Sequence, residues 1–82
     1  MKAYIVVSCN TDGGDIYLEY TAKTPEEANE CLSSAVYDLM HQFVENGYGD
    51  TIDDFEYDIS HNCGWASCAD TTYYYQVLEV SL

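Results

Sequence analysis

Thr24-Pro25-Glu26-Glu27-Ala28-Asn29-Glu30-Cys31-Leu32-Ser33-Ser34-Ala35-Val36-Tyr37-Asp38-Leu39-Met40-His41-Gln42-Phe43-Val44-Glu45-Asn46-Gly47 is the stretch that decides the fold. Thr24 puts a hydroxyl at an N-cap, Pro25 fits the first helical position, and Glu27 completes a capping box. Glu26 and Glu27 also suit the positive end of the helix dipole. Ala28, Leu32, Ala35, Val36, Leu39, Met40, Phe43 and Val44 then recur at helical period as one apolar stripe. Asn46-Gly47 supplies the stop. The pattern predicts a helix near residues 25 to 46, long enough to cross a small sheet.

Outward from this helix the chain alternates with period two. On the N-terminal side, Ala3, Ile5, Val7 and Cys9 fall on one face of a strand, and Tyr4, Val6 and Ser8 on the other. Asn10-Thr11-Asp12-Gly13-Gly14-Asp15 reads as a turn, its oxygen-bearing positions failing to match a calcium loop. Ile16, Leu18 and Tyr20 then oppose Tyr17, Glu19 and Thr21, completing a hairpin. After the helix, Phe55, Tyr57 and Ile59 alternate with Asp54, Glu56 and Asp58. The last run sets Tyr74, Gln76, Leu78, Val80 and Leu82 against Tyr73, Tyr75, Val77 and Glu79. His61 to Thr72, rich in small residues, reads as a loop.

The expectation is a single α+β domain over residues 1–82, ordered ββαββ. A four-stranded antiparallel sheet would carry one long helix on one face and leave the other open. The helix stripe should bury Leu32, Val36, Leu39 and Phe43 against Ile5, Val7, Leu18 and Leu78. The open face would then present Tyr17, Glu19, Asp54, Glu56, Asp58, Tyr73, Tyr75 and Glu79.

Charge makes that face the candidate binding site. Fifteen Asp and Glu stand against two lysines and no arginine, a formal charge of −13. Solubility of a small domain needs a net charge of only about 2–8. The excess predicts attraction to a basic protein surface and argues against direct nucleic-acid contact, since phosphates are repelled. Carboxylates on alternate strand residues lie roughly 7 Å apart, a row that lysines and arginines can track, and neighbouring tyrosines suit arginine stacking. The helix acids Glu26, Glu27, Glu30, Asp38 and Glu45 read as capping and solubility.

Other chemistry is thinly represented. His61, Cys63 and Cys68 supply three ligand types within one stretch, but without a paired C-x2-C spacing. Unbonded structural cysteines are the favoured reading; a zinc-stabilised adaptor and a Cys63–Cys68 disulfide are the alternatives. His41 and His61 suggest no nucleophile–base pair. No phosphate-cradling glycine motif or cofactor fingerprint occurs, so neither a cofactor nor enzymatic activity is expected. The N-terminus lacks a signal-peptide pattern and no apolar run reaches membrane-spanning length, which predicts a cytoplasmic protein with reduced thiols.

Two resemblances follow from these residues. The ββα opening, with Thr24-Pro25-Glu26-Glu27-Ala28 starting its helix, looks like the first half of HicB-type antitoxins, which implies a small toxin-binding module. In size, acidity and tyrosine content, the whole chain resembles small phage-encoded anti-defence proteins, anti-CRISPR proteins and other DNA mimics. That likeness is compositional. It implies an inhibitor that occupies the nucleic-acid-binding surface of a partner complex.

Overall fold

The structure, a computed structural model, describes residues 1–81. Leu82, assigned by the alternation to the last strand, lies outside the described residues. The elements are β1 (Lys2–Asn10), β2 (Ile16–Ala22), α1 (Pro25–Glu45), a short 3-10 turn (Ile52–Asp54), β3 (Glu56–Ser60), β4 (Cys63–Cys68) and β5 (Thr71–Ser81). They form an antiparallel sheet in the order β2-β1-β5-β4-β3, with α1 packed on one face.

The α+β class and single helix agree with the sequence reading, but the sheet has five strands, not four. Cys63–Cys68, expected as loop, is an internal strand paired on both sides. The connection from β4 to β5 is the two-residue turn Ala69-Asp70, both with positive φ (50° and 70°). Positive φ at both central residues is the type I′ geometry that matches the twist of a hairpin.

Local chemistry fixes the helix ends. Thr24 Oγ1 accepts a bond from the Glu27 amide at 3.1 Å. The Glu27 carboxylate accepts from Lys23 N rather than from Thr24 N, so only half of the expected capping box forms. At the far end Tyr48 N donates to Phe43 O and Gly47 N to Val44 O, with Gly47 at φ 85°. These are the paired bonds of a Schellman stop, which needs a left-handed residue that glycine adopts without strain.

The core keeps the expected faces of β3 but inverts those of β1, β5 and the first part of β2. Leu32, Val36, Met40 and Val6 are fully buried; Ala22, Ala28, Ala35, Phe43, Ala66, Tyr75 and Val77 complete the core, and Leu39 is only half-buried. The helix therefore packs on Val6, Tyr75 and Val77, not on Ile5, Val7, Leu18 and Leu78. Leu18 and Leu78 remain 63 % and 40 % exposed. Side chains alternate along a strand, so one shift of parity moves a whole set to the opposite face.

Candidate functional site

The expected open-face cluster does not assemble, and six of its eight positions need correcting. Tyr75 is buried under the helix, and Tyr73 is half-buried with its ring 5.6 Å from that of Phe43. Burial pushes the Tyr75 hydroxyl up to about 12, with the charges of Glu19 and neighbouring tyrosines adding to the shift. Tyr17 sits opposite Ser8, and Glu19 accepts a bond from Ser8 Oγ at 2.7 Å, which puts both on the helix side of β2. The cause is a β-bulge: Val6 pairs with Tyr20 and Val7 with Leu18, leaving Glu19 as the extra residue. Glu79 pairs with Tyr4 and is held by Lys2 at 3.0 Å, also on the helix side.

The remaining three expected residues divide between two places. Asp54 belongs to the 3-10 turn, where its carboxylate accepts from the amides of Asp50 at 2.7 Å and Thr51 at 3.1 Å. Those two backbone bonds hold its pKa below the usual carboxylate value. Glu56 and Asp58 do lie on the open face, along the outer strand β3. Asp58 accepts a bond from Ser60 Oγ at 2.7 Å. The acidic row on β3 thus consists of two carboxylates, with Asp53 and Asp54 next to it in the turn.

What fills the rest of the open face is mostly apolar. The strand registers join into rows that cross the sheet. One row runs Ile16, Cys9, Tyr74, Trp65, Asp58, and the next runs Leu18, Val7, Gln76, Cys63, Ser60. Beyond them Ile5 lies beside Leu78, and Ala3 beside Val80. Ile16, Leu18, Tyr74 and Leu78 are 74, 63, 47 and 40 % exposed, and no element of the described residues covers them. A shallow groove of about 400 Å³ runs between Val7, Cys9, Ile16, Trp65, Tyr74 and Leu78. Trp65 and this groove escaped the sequence reading because β4 did.

The carboxylates lie elsewhere on the surface. No charged residue is buried among the described residues, so all the acids given a place here face solvent. The density is greatest at the β3 end, where Asp50, Asp53, Asp54, Glu56 and Asp58 follow one another. Asp54, Glu56 and Asp70 also border a hollow of about 500 Å³ with Tyr48, Phe55 and Cys68.

The cysteine alternatives fare differently. Cys63 and Cys68 stand at opposite ends of β4, about 17 Å apart along the strand, far beyond disulfide reach. All four cysteines are unbonded. Among the described residues, no group of three or more His, Cys, Asp or Glu side chains is placed to hold a metal ion, so His61, Cys63 and Cys68 do not converge. Burial raises the Cys68 thiol pKa.

No helix among the described residues is long and apolar enough to cross a membrane. No protein-family model matches the chain, and no curated protein or solved structure matches it.

Proposed function

We propose that this domain works by binding rather than by catalysis, occupying the basic, nucleic-acid-binding surface of a partner protein and so excluding the nucleic acid. The observation that carries this reading is the charge balance: fifteen carboxylates and two lysines, of which Lys2 is already paired with Glu79. A negative field directed entirely to solvent raises encounter rates with a positive surface and repels phosphate. The compositional likeness to anti-CRISPR and other anti-defence proteins extends the reading to a defence complex as the partner.

The β3 end carries the densest charge and is where the reading is tested. Asp53, Glu56 and Asp58 are exposed, and changing them spares the Asp54 carboxylate that holds the turn. A panel of basic DNA- and RNA-binding proteins is loaded with a fluorescein-labelled oligonucleotide, and displacement is followed by anisotropy. Wild type should displace the oligonucleotide from at least one member, less efficiently as salt rises. The Asp53→Asn/Glu56→Gln/Asp58→Asn variant should need at least tenfold more protein. Displacement that ignores both salt and these substitutions, or none from any member at low salt, would sink the reading.

A further inference from the structure

We infer that the uncovered sheet face is the docking surface, and that its occupant is an apolar patch rimmed by lysine and arginine on a partner protein. For the sign of the partner's charge this rests on the reading above. The apolar set crosses four strands from β2 to β4, roughly 14 Å, and runs about 20 Å along them from Cys9 to Ala3, with Gln76 set within it. Apolar residues gathered into one such patch, rather than scattered singly, are often an interaction site on a small domain.

Its anatomy is that of an interface. Leu78, the half-buried Trp65 and the exposed Tyr74 line a groove, and Leu18 lies beside it, paired with Val7 of its wall; aromatic anchors in a desolvated centre supply most of the energy of such contacts. The rim is acidic: Glu56 and Asp58 line β3, and Asp15 leads into β2 on the opposite edge. The two lysines lie together at the Ala3–Ala22 end, Lys2 paired with Glu79 and Lys23 just beyond β2.

That charge selects the occupant. A second copy laid on this face would bring a charge of −13 against another −13, with the two acidic rims close together. A partner with basic residues around an apolar centre meets both features at once. Apolar contact would set the lifetime of the complex, and the rim would set its rate of formation.

Trp65 is the chain's single tryptophan, so the face reports on itself. The probes are a synthetic peptide alternating leucine with lysine, a leucine–glutamate analogue, and poly-lysine. The leucine–lysine peptide should blue-shift Trp65 emission, and Leu18→Ser/Leu78→Ser should weaken that binding at least tenfold. Both positions are solvent-exposed, and circular dichroism verifies that the variant is folded. Poly-lysine should bind in a salt-dependent way without the emission shift.

Equal binding by wild type and the double variant would overturn the proposal. So would an equal shift with the leucine–glutamate peptide, or a dimer in sedimentation equilibrium that Leu18→Ser dissociates. Poly-lysine binding with no Trp65 response to any peptide would remove the face while leaving the acidic-surface reading intact. Failure of poly-lysine to bind at low salt would instead strike that underlying reading.

Discussion

Asn29 and Asn62 hold each other by two hydrogen bonds, Asn62 N to Asn29 Oδ1 at 2.7 Å and Asn29 Nδ2 to Asn62 Oδ1 at 2.9 Å. The pair joins the first turns of α1 to the β3–β4 connection, where Asn62 takes a positive φ of 66°. Asparagine tolerates that conformation better than most residues. Asn29→Ala should therefore cost about 1–2 kcal/mol, as these two exposed hydrogen bonds and the one from Asn29 Nδ2 to Pro25 O are lost. Urea denaturation measures it. Asn62→Gly, which keeps the amide and the backbone conformation, should cost less.

The face that α1 covers can be verified by paired substitutions. Leu32→Ala should cost about 2–5 kcal/mol, because the side chain is fully buried and a cavity remains. Leu18→Ala should stay within about 0.5 kcal/mol, as expected of an exposed position. Within β1, Val6→Ala should destabilise clearly more than Val7→Ala. Equal losses for the two valines would mean that the sheet faces are assigned the wrong way round.

At Gly64 the helix lies close against the sheet. A Cβ there would lie 3.0 Å from Leu32 Cδ2 and 3.2 Å from Val36 Cγ2. Both neighbours are fully buried and have little room to yield. Gly64→Ala should destabilise by about 1–3 kcal/mol, the range typical of overpacking, read as a lower thermal midpoint.

Ala69 offers a change in the other direction. Its φ of 50° is left-handed, a region that costs a residue with a Cβ roughly 1–2 kcal/mol. Asparagine is the favoured residue at this position of a type I′ turn. Ala69→Asn should stabilise the fold by about 1 kcal/mol, seen as a higher urea midpoint with an unchanged slope.

Two groups set opposite limits in pH. The folded Asp54 pKa is depressed, so its contribution is complete above the ordinary value of 3.8 and is lost as pH falls through the lower folded value. The folded Tyr75 pKa is raised to about 12, so its contribution is complete below the ordinary value of 10.0 and is lost as pH rises from there toward 12. Chemical denaturation across pH should show the acid-side loss reduced in Asp54→Asn and the alkaline loss reduced in Tyr75→Phe. At neutral pH, added salt should stabilise the protein by screening its self-repulsion.

How far the sequence discloses this molecule varies by element. Thr24, Pro25 and Gly47 mark the helix because caps depend on local chemistry that the chain order displays directly. The faces of β1 and β5 are hidden for a physical reason. Tyr4 and Val6 alternate with Ile5 and Val7, and Tyr75 and Val77 with Tyr74 and Leu78, so both parities are apolar. Both are apolar because the open face is apolar too, which removes the contrast that alternation relies on. Strand β4 is hidden differently. Gly64 and Ala66 look like loop residues, yet they are small because Leu32 and Val36 press on that strand. Its return turn, Ala69-Asp70, lacks the asparagine–glycine signal that marks most turns of this shape. The acidic site rests on composition for its charge and on strand parity for its position, and the parity misleads wherever both faces of a strand are apolar.

The placement of β5 beside β1 also governs when this protein can exist during synthesis. Lys2 pairs with Ser81 and Asn10 with Tyr73, so the central strand β5 and its neighbour β1 come from distant parts of the chain. Until β5 has left the ribosome, the β1–β2 and β3–β4 hairpins lack the strand that hydrogen-bonds to both, and only the helix packs against the two of them. Contacts this remote in sequence close slowly and together. The domain should therefore gain protease resistance in one late step, and its apolar surfaces need protection throughout elongation.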